Sequence, residues 1–511
     1  MAFCLLTGCA SREGHFGKVL VFGKAKDAVK LDPAQIDDSE SSVVTENIFE
    51  TLVRFKPGTT IPEPDLATDW AISPDGRRYT FHLRRGVRFH DGTPCDAAAI
   101  KFNFDRQRDP HGGTFEYWLN FFAPDVQRVE APKSDTLVVS LKQPDATFLS
   151  NLCLFSMGIV SPTAVRKYGP DIVRHPVGTG PFKFDVWVPG QKIILDANAD
   201  YWGGRPKLDK LVFKPIPENS VRLLELENGV IQGMNGINPD DVARIEGHPA
   251  LKLLTGSGMN VGYLALNVEK KPFDNLLVRR AIAHALDKEA MVKAFFANGT
   301  LGQAAKNPMP PSIWGYDDAV KDYAYDPAEA RRLLAQAGYP HGFKMTLWAL
   351  PVARPYMPQG QRTAEAIQAD LARVGIEAKI TSYEWGTYLD KLANGEHEAA
   401  LIGWSGDNGD PDNFLYTLLD PDGARKGSAT NFSFYCNAQV HTLLAAARRT
   451  SDRAERSALY RQVQEIAHRD EPMVPLFHSR QILAFQRGVT GFTLSPTGDL
   501  DFRDVDLVKK R

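Results

Sequence analysis

Strand-type and helix-type hydrophobic patterns alternate along residues 343–406. The segments FKMTLWAL, IEAKITSY and AALIGW are apolar runs of strand length. Between them lie the short segment YLDKLANG and the longer segment GQRTAEAIQADLARVG, in which Ala364, Ile367, Leu371 and Val374 share one helical face. This alternation predicts an α/β fold with a largely parallel sheet and helical crossovers.

Two polar loops follow the first and the last strand of this region, PVARPY and SGDNGD. Ligands of open α/β sheets bind outside the carboxyl ends of the strands, so we expect both loops to face one crevice. Arg354 offers a planar fork that suits a carboxylate, and Asp407 offers a charge that suits an ammonium group. Two such anchors would measure the length of a peptide, because an extended chain advances roughly 3.3–3.6 Å per residue. The alternative is that Arg354 and Asp407 pair with each other or lie on unrelated surfaces.

The hydrophobic pattern predicts further elements elsewhere in the chain. KVLVFG at 18–23 and SDTLVVSLK at 134–142 are typical of strands. VTENIFETLVRF at 44–55 has apolar residues at helical spacing and predicts an amphipathic helix. We also expect a strand through Tyr79, Phe81 and Leu83, a turn at HDG, and helices that begin after Asp96 and Asp326.

Composition and charge exclude several classes of protein. The chain has 511 residues, of which 43% are hydrophobic, so it is long and apolar enough for two or more cores. Its 60 basic and 62 acidic residues are interspersed and give a formal charge of −2, which provides no field that would attract nucleic acid. After the N-terminus, the longest apolar stretch is shorter than the ~18 residues that a membrane-spanning helix requires.

The N-terminal segment FCLLTGCA resembles a bacterial lipobox, in which the cysteine, here Cys9, is lipidated after cleavage of a signal peptide. A secretory signal needs a charged start and ~7–15 apolar residues. Only eight residues precede Cys9 and none is basic, so either the true start codon lies upstream or the match arises by chance. The expected location is the periplasm or cell envelope, with an anchor in the membrane if Cys9 carries lipid.

Cys95, Cys153 and Cys436 remain, an odd number without the spacing of a metal site. We expect isolated buried cysteines. One disulfide with one free thiol is the alternative.

Other motifs give weaker indications of chemistry. DNGDPDN is acidic enough for calcium, but a calcium loop of the EF-hand type needs glycine and glutamate where this chain has Asp412 and Leu418. The pair His90 and Asp91 lies in a glycine turn without a nucleophile motif of the G-x-S-x-G type. We therefore expect no metal, no cofactor and no catalytic activity. A peptidase or another hydrolase is the alternative class.

Seven motifs in a fixed order resemble the periplasmic peptide-binding components of ABC importers, solute-binding protein family 5. They are YTFHLRRGVRFHDGTP, VGTGPFKF, YWGGRPKLDKLVF, MNVGYLALNVEKKPFDN, WALPVARPYMP, YEWGTYL and GWSGDNGDPDNF. The resemblance covers nearly the whole chain and is greatest to the family's dipeptide binders. It implies a bilobal fold of the periplasmic-binding-protein type, class II and of the large peptide-binding kind, which closes on a peptide.

The resemblance also implies roles for individual residues. Asp407 is similar to the family aspartate that pairs with the peptide α-amino group, and Arg354 to the arginine that receives the C-terminal carboxylate in dipeptide binders. Tyr356 and Trp404 would form walls of the pocket. Gly403 and Gly406 would let backbone groups approach the peptide. Asp410 and Asp412 are instead expected to stabilise the turn of their own loop.

Two departures from the dipeptide binders affect the choice of ligand. Those proteins carry a cysteine pair near the loop that follows DNF, whereas this chain has only Cys436 in that region. The first cleft loop, KLDPAQIDDSESS, follows the general family pattern more closely than that of the dipeptide binders. Another ligand on the same fold, such as an oligopeptide, glutathione, haem or a metal chelate, therefore remains an alternative to a dipeptide.

The resemblance predicts a specific division of the chain and a set of partners. The expected partners are a short peptide and the permease and ATPase subunits of an importer, with the protein itself monomeric. The predicted segments are a truncated lipoprotein signal at 1–9, a discontinuous lobe I at 10–55, 178–265 and 486–511, an extra subdomain of lobe I at 56–177, and lobe II at 266–485.

Overall fold

The computed structural model describes residues 17–109 and 115–508. The lipidation predicted at Cys9 therefore lies outside the described residues. None of the described helices is both long and apolar enough to cross a membrane.

Twenty strands form the sheets of the described chain. They are β1 (Val19–Lys24), β2 (Val53–Phe55), β3 (Pro62–Pro64), β4 (Ala67–Ile72), β5 (Arg78–Leu83), β6 (Val126–Lys133), β7 (Thr136–Leu141), β8 (Phe182–Val188), β9 (Lys192–Ala197), β10 (Lys210–Pro215), β11 (Gly233–Met234), β12 (Leu251–Ser257), β13 (Asn260–Leu266), β14 (Gly302–Ala304), β15 (Lys344–Trp348), β16 (Glu377–Thr381), β17 (Ala399–Ser405), β18 (Met473–Gln486), β19 (Val489–Thr490) and β20 (Asp506–Leu507).

Helices cover the faces of the sheets and form the connections between strands. They are α1 (Ser39–Thr45), α2 (Ala97–Arg108), α3 (Glu116–Phe121), α4 (Phe148–Asn151), α5 (Pro162–Tyr168), α6 (Asn219–Glu227), α7 (Val242–Gly247), α8 (Leu276–Ala285), α9 (Lys288–Phe295), α10 (Pro327–Gln336), α11 (Gly360–Ala372), α12 (Trp385–Ala393), α13 (Asp412–Leu419), α14 (Ala438–Arg449) and α15 (Arg453–Asp470). Short 3-10 turns occur at Pro33–Gln35, Phe155–Met157, Gly169–Arg174, Pro239–Asp241, Ala297–Gly299 and Pro421–Ala424.

A mixed sheet of twelve strands runs through the molecule in the order β16, β15, β17, β13, β18, β11, β1, β10, β9 and β8, with β12 and β14 also paired to β18. β15 pairs in parallel with both β16 and β17, as the alternation of strand and helix predicts. β17, β13 and β18 pair antiparallel, so the sheet as a whole is less parallel than expected.

The long strand β18 belongs to both halves of this sheet. Its first half pairs with β13 and β14, and its second half pairs with β12 and β11. The change of partner occurs where β12 turns into β13, at residues 258–259. The predicted border between the lobes, at 265/266, lies at the other end of β13, and the division of the chain into these segments stays a prediction.

A second, four-stranded antiparallel sheet of β4, β5, β7 and β6 lies within the region predicted as a subdomain. Tyr79, Phe81 and Leu83 on β5 are buried, which confirms the predicted strand. α2 begins as predicted after Asp96, whose carboxylate accepts the backbone N–H of Ala99 (2.9 Å). Together these elements enclose a hydrophobic core of their own.

The helix predicted over 44–55 is wrong for most of its length. α1 ends at Thr45, the chain then turns, and Val53–Phe55 forms β2. The reason is tertiary, because the side chain of Asn47 donates to the carbonyl oxygen of Leu500 (2.9 Å) and accepts the backbone N–H of Phe502 (3.1 Å). These long-range bonds hold a non-helical turn. Helical spacing of apolar residues is outweighed by contacts with a distant segment.

The three described cysteines form no disulfide, which confirms the expectation of isolated cysteines. Cys95 is buried and Cys153 is half-buried. Cys436 is exposed, so the expectation of buried cysteines is wrong for that residue.

Candidate functional site

A cavity of about 590 Å³ lies at the ends of β15 and β17, between these loops and the first part of the chain. Pro355 and Pro358 from the loop after β15 line it together with Gly406 and Asp407 from the loop after β17. Both polar loops therefore open onto one cavity, as the rule for strand ends predicts. The opposite walls come from Tyr117, Phe155, Asn235, Gln481, Thr497 and Asp499, among others.

Asp407 is held in place by residues on two sides. Its backbone N–H donates to Oδ1 of Asn413 (3.0 Å), and Nδ2 of Asn413 donates to Oδ2 of Asp407 (3.3 Å). The hydroxyl of Tyr117, from α3, lies 3.5 Å from Oδ1 of Asp407. These contacts orient the carboxylate, and all come from neutral groups.

Burial raises the pKa of Asp407 to about 6, and the bonds from Asn413 and Tyr117 lower it by a smaller amount. Among the described residues, no cationic side chain lies within 4.0 Å of this carboxylate. The site thus contains a half-buried, oriented acid, and no cation of the described chain lies within 4.0 Å of it. A cationic group in the cavity would supply the counter-charge.

Trp404 acts on this site through Asn413. Its indole N–H donates to Oδ1 of Asn413 (3.1 Å), the same oxygen that receives the backbone N–H of Asp407. Trp404 is half-buried at the end of β17 and packs against the large core. Its contacts therefore fix the residue that orients Asp407.

The two glycines of this loop leave room for aromatic rings of the protein itself. A Cβ on Gly403 would lie 2.3 Å from the ring of Tyr356, and one on Gly406 would lie 2.4 Å from the ring of Phe414. Tyr356 is buried, with 6% of its surface exposed. Gly403 and Tyr356 thus pack against each other next to the cavity, whose lining includes Gly406.

Arg354 lies in the loop after β15, where its backbone forms a bridge with Met357. Its guanidinium stacks over the ring of Trp385, with the central carbon 4.4 Å from the ring centroid. No carboxylate of a described residue lies within 4.0 Å of it, and in particular it does not pair with Asp407. Arg354 is half-buried, and its neighbour Pro355 lines the cavity while Arg354 itself does not.

Asp410 stabilises its own loop, as predicted, because its Oδ1 accepts the backbone N–H of Asp412 (3.0 Å). For Asp412 the prediction is not confirmed, because Oδ1 of its side chain receives no hydrogen bond from a described residue. Asp410 also forms a bidentate, buried ion pair with Arg456 (2.9 and 2.8 Å), which the sequence pattern does not reveal. Asp412 is 3.6 Å from Arg448. Two of the three aspartates of the suspected calcium loop, Asp410 and Asp412, thus face guanidinium groups.

The same loop contacts the region of the four-stranded sheet. Nδ2 of Asn408 donates to Oδ1 of Asn151 (2.5 Å), and the backbone N–H of Ala146 donates to the carbonyl of Arg448 (3.0 Å). Together with the contact between Tyr117 and Asp407, these bonds join the loop after β17 and the end of α14 to the region of α3 and α4.

Two other groups of residues have chemistry that could suggest a site. Asp420, Asp422 and His441 have potential ligand atoms within 4.8 Å of one another, yet Asp420 already accepts from the backbone of Asp422 (2.9 Å) and lies 3.0 Å from the imidazole of His441. His90 bonds the carbonyl of Gly180 (3.0 Å), and burial lowers its pKa to about 4. These contacts give both groups a structural role.

Comparison with known proteins identifies relatives over the whole chain. Residues 62–426 match the family model described as bacterial extracellular solute-binding proteins, family 5. The dipeptide-binding protein of Escherichia coli K12 is 40% identical over 479 residues, covering 90% of this chain and 89% of that protein. Heme-binding protein A of Haemophilus influenzae is 39% identical, covering 94% of this chain and 90% of that protein.

A solved structure agrees with these relatives. It is the ABC transporter-associated periplasmic binding protein DppA from Helicobacter pylori in complex with the peptide STSA, with a TM-score of 0.79 and 40% identity, covering 97% of this chain and 99% of that chain. The bilobal fold expected from the sequence motifs is therefore confirmed. The chain belongs to family 5 of the bacterial extracellular solute-binding proteins.

Proposed function

We propose that this protein is the extracytoplasmic component of an ABC importer that binds short peptides, above all dipeptides, and delivers them to a membrane permease. The observation that carries this proposal is Asp407, a half-buried and oriented carboxylate that faces the cavity without a described cationic partner. The α-ammonium of a peptide supplies such a partner. A buried, hydrogen-bonded charge pair of this kind contributes strongly to affinity.

Arg354 is the proposed second anchor. Its guanidinium has no carboxylate partner among the described residues, and its stacking on Trp385 leaves the edge of the fork available for a bidentate bond. It lies on the loop that brings Pro355 and Pro358 to the cavity wall. A peptide that joins Asp407 to Arg354 would have its length fixed by the distance between the two.

Closure of the cleft provides the mechanism of binding. The bonds of Asn408 to Asn151 and of Arg448 to Ala146 join parts of the chain that are distant in sequence. A ligand that touches both walls stabilises the closed form over an open one, because it gains its full set of contacts only when the cleft is shut. The permease then recognises the closed form.

Haem is the second candidate, because heme-binding protein A of Haemophilus influenzae is 39% identical to this chain. The acidic character of Asp407 favours a ligand with an ammonium group instead. Mass spectrometry of the ligand that co-purifies with the protein distinguishes the two. A pool of dipeptides supports the proposal, whereas haem or another non-peptide overturns it.

Calorimetry with added ligand completes the test. After unfolding, removal of bound material and refolding, the protein should bind Ala-Ala with a measurable enthalpy. Incubation of the same sample with Ala-Ala should release no free alanine, which separates a binding protein from a peptidase.

We also propose that the mature protein is a monomer anchored to the membrane by lipid on Cys9. The support is the similarity of LLTGCA to a lipobox. Expression from an upstream start codon in the native host should place the protein in the membrane fraction, and Cys9→Ser should release it. A soluble mature protein that begins at another residue would contradict the anchor and leave the peptide-binding proposal intact.

A further inference from the structure

The lining of the cavity contains one cationic side chain among the described residues, that of Arg480 on β18. Its backbone N–H donates to the carbonyl oxygen of Leu301 (2.8 Å), but its exposed guanidinium has no hydrogen bond, ion pair or ring contact with a described residue. Arg480 also borders a neighbouring cavity of about 290 Å³, whose described lining contains no acid. Five N–H donors and a positive charge therefore border the ligand cavity without an acceptor from the described chain.

Acidic side chains outnumber this cation in the cavity lining, but the described chain engages most of them. Glu40 lies 3.4 Å from the buried ammonium group of Lys24. Asp38 accepts the backbone N–H of Ser41 (2.8 Å) at the start of α1. Asp37 is exposed, so water screens its charge. The acidic lining residues are Asp37, Asp38, Glu40, Glu46, Asp407 and Asp499.

Glu46 and Asp499 are held by neutral hydrogen-bond donors. Glu46 accepts the backbone N–H of Leu500 (3.3 Å), and Asp499 accepts the hydroxyl of Ser495 (3.3 Å). Burial raises the pKa of both carboxyl groups, that of Glu46 well above its usual range, which favours their uncharged forms. In the function proposed above, the ligand ammonium compensates the charge of Asp407. The acids therefore oppose an anion in the cavity less than their number indicates.

Arg480 and Asp407 follow one row of residues across three adjacent strands. Ser405 of β17 pairs with Asn260 of β13, and the side chain of Asn260 binds the backbone N–H (2.9 Å) and carbonyl (3.4 Å) of Ser479 on β18. All three residues of this row line the cavity. Adjacent strands lie 4.7–4.9 Å apart, so the backbones of β17 and β18 are about 10 Å apart here. A dipeptide spans about 7 Å, so one held at Asp407 would bring its side chains within reach of the long side chain of Arg480.

We propose that Arg480 receives a carboxylate on a side chain of the bound peptide. The inference rests on the proposed peptide-binding function, in which Arg354 takes the terminal carboxylate. It narrows the preferred substrates to dipeptides that contain aspartate or glutamate. A guanidinium binds a carboxylate through two parallel charge-assisted bonds, whereas the amide of asparagine or glutamine offers one uncharged acceptor oxygen.

Calorimetry with size-matched peptides tests this selectivity in the wild-type protein. The pairs are Ala-Glu with Ala-Gln, and Asp-Ala with Asn-Ala. In one pair at least, the acidic peptide should bind about tenfold more tightly than its amide counterpart, as is usual for hydrogen bonds between charged groups. Acidic peptides that bind equally or more weakly in both pairs overturn the inference but leave the peptide-binding function in place. Absence of binding to all four peptides overturns both.

Variants then assign the selectivity to Arg480. Arg480→Gln removes the charge from an exposed position and should reduce the ratio of acidic to amide affinity to near one. Arg461→Gln is the matched control, since it removes an equal charge from an exposed position on α15 outside the cavity lining and should keep the ratio. An Arg480 variant that retains the full preference overturns the assignment. If this variant weakens both members of each pair equally, Arg480 receives the terminal carboxylate that every peptide carries, and the side-chain assignment is wrong.

Discussion

Asn413 binds Asp407 twice, receiving the backbone N–H of Asp407 on Oδ1 and donating from Nδ2 to its carboxylate. The reciprocal pair fixes both the backbone and the side chain of the aspartate at the end of β17. Trp404 adds a bond to the same Oδ1. The acid is therefore oriented before a ligand arrives, and binding requires little reorganisation of this part of the site.

The first prediction concerns the charge of Asp407. Asp407→Asn keeps the shape of the side chain and removes the counter-charge for the ligand ammonium, so dipeptide affinity should fall by about 2–5 kcal/mol. Calorimetry measures the change. Asp274→Asn, which neutralises an exposed aspartate outside the cavity lining, is the matched control and should bind as the wild type does. Unchanged affinity in the Asp407 variant would refute its role as the amine anchor.

The second prediction concerns pH. The free protein holds Asp407 with a pKa of about 6, and only the ionised form attracts an ammonium group. Affinity for Ala-Ala should therefore be nearly constant between about pH 6 and the α-amino pKa of about 8, and should fall by up to about tenfold per unit as the pH drops below about 6. Asp407→Asn should lack this step. A plot of Kd against pH measures this loss of affinity below about pH 6. If the wild type shows no such loss, the assignment of Asp407 is contradicted.

The third prediction concerns peptide length and Arg354. An amidated dipeptide leaves the guanidinium without its partner in a closed cleft, so it should bind on the order of a hundredfold more weakly than the free acid. A tripeptide should also bind poorly. Arg354→Ala should lose both the affinity and the discrimination between acid and amide. Arg362→Ala should keep them, because Arg362 lies on α11 and packs over Phe295, away from the loop that follows β15. Equal binding of a pentapeptide would mean that Arg354 does not limit length.

The fourth prediction concerns Tyr117. Its hydroxyl contributes a bond that lowers the pKa of Asp407, so Tyr117→Phe should move the midpoint of the pH dependence to higher pH. The affinity at pH 8 should fall by only about 0.5–1.5 kcal/mol, as is usual for one hydrogen bond. Tyr168→Phe, outside the cavity lining, should change neither quantity. An unmoved midpoint would show that the hydroxyl does not act on Asp407.

The fifth prediction concerns the ion pair beneath the loop. The side chains of Asp410 and Arg456 are only 1% and 6% exposed. Asp410→Asn leaves the guanidinium buried without its charge partner and should lower the free energy of unfolding by about 3–5 kcal/mol in urea titrations. The exposed pair of Lys344 and Glu377 provides the control, because Glu377→Gln should leave the midpoint nearly unchanged. Equal effects of the two variants would contradict a stabilising role for the buried pair.

The sequence predicts those features of the site that depend on local pattern. The period of the apolar residues locates β15, α11, β16, α12 and β17, and the rule for strand ends then brings the loops of Arg354 and Asp407 to one cavity. Both steps use residues near each other in the chain. The family motifs supply the expected roles of these two residues, which stay predictions.

Contacts between distant segments could not be predicted in this way. Tyr117 is 290 positions from Asp407 in the sequence. Glu46 is 454 positions from Leu500, whose backbone N–H donates a hydrogen bond to the Glu46 carboxylate. The failed helix over 44–55 has the same origin, because Asn47 bonds to Leu500 and Phe502. The apolar spacing of that segment contains no information about a partner at the other end of the chain.

The place of the C-terminal segment in the first part of the fold has a consequence for secretion. β1 lies beside β11, β11 pairs with the last residues of β18, and Leu500 and Phe502 fill the core around Phe22. A chain that leaves the cytoplasm N-terminus first exposes β1 early, but the partners that bury it emerge last. The part of the sheet around β1 therefore stays incompletely folded, and accessible to proteases and chaperones, until almost the entire polypeptide has crossed the membrane.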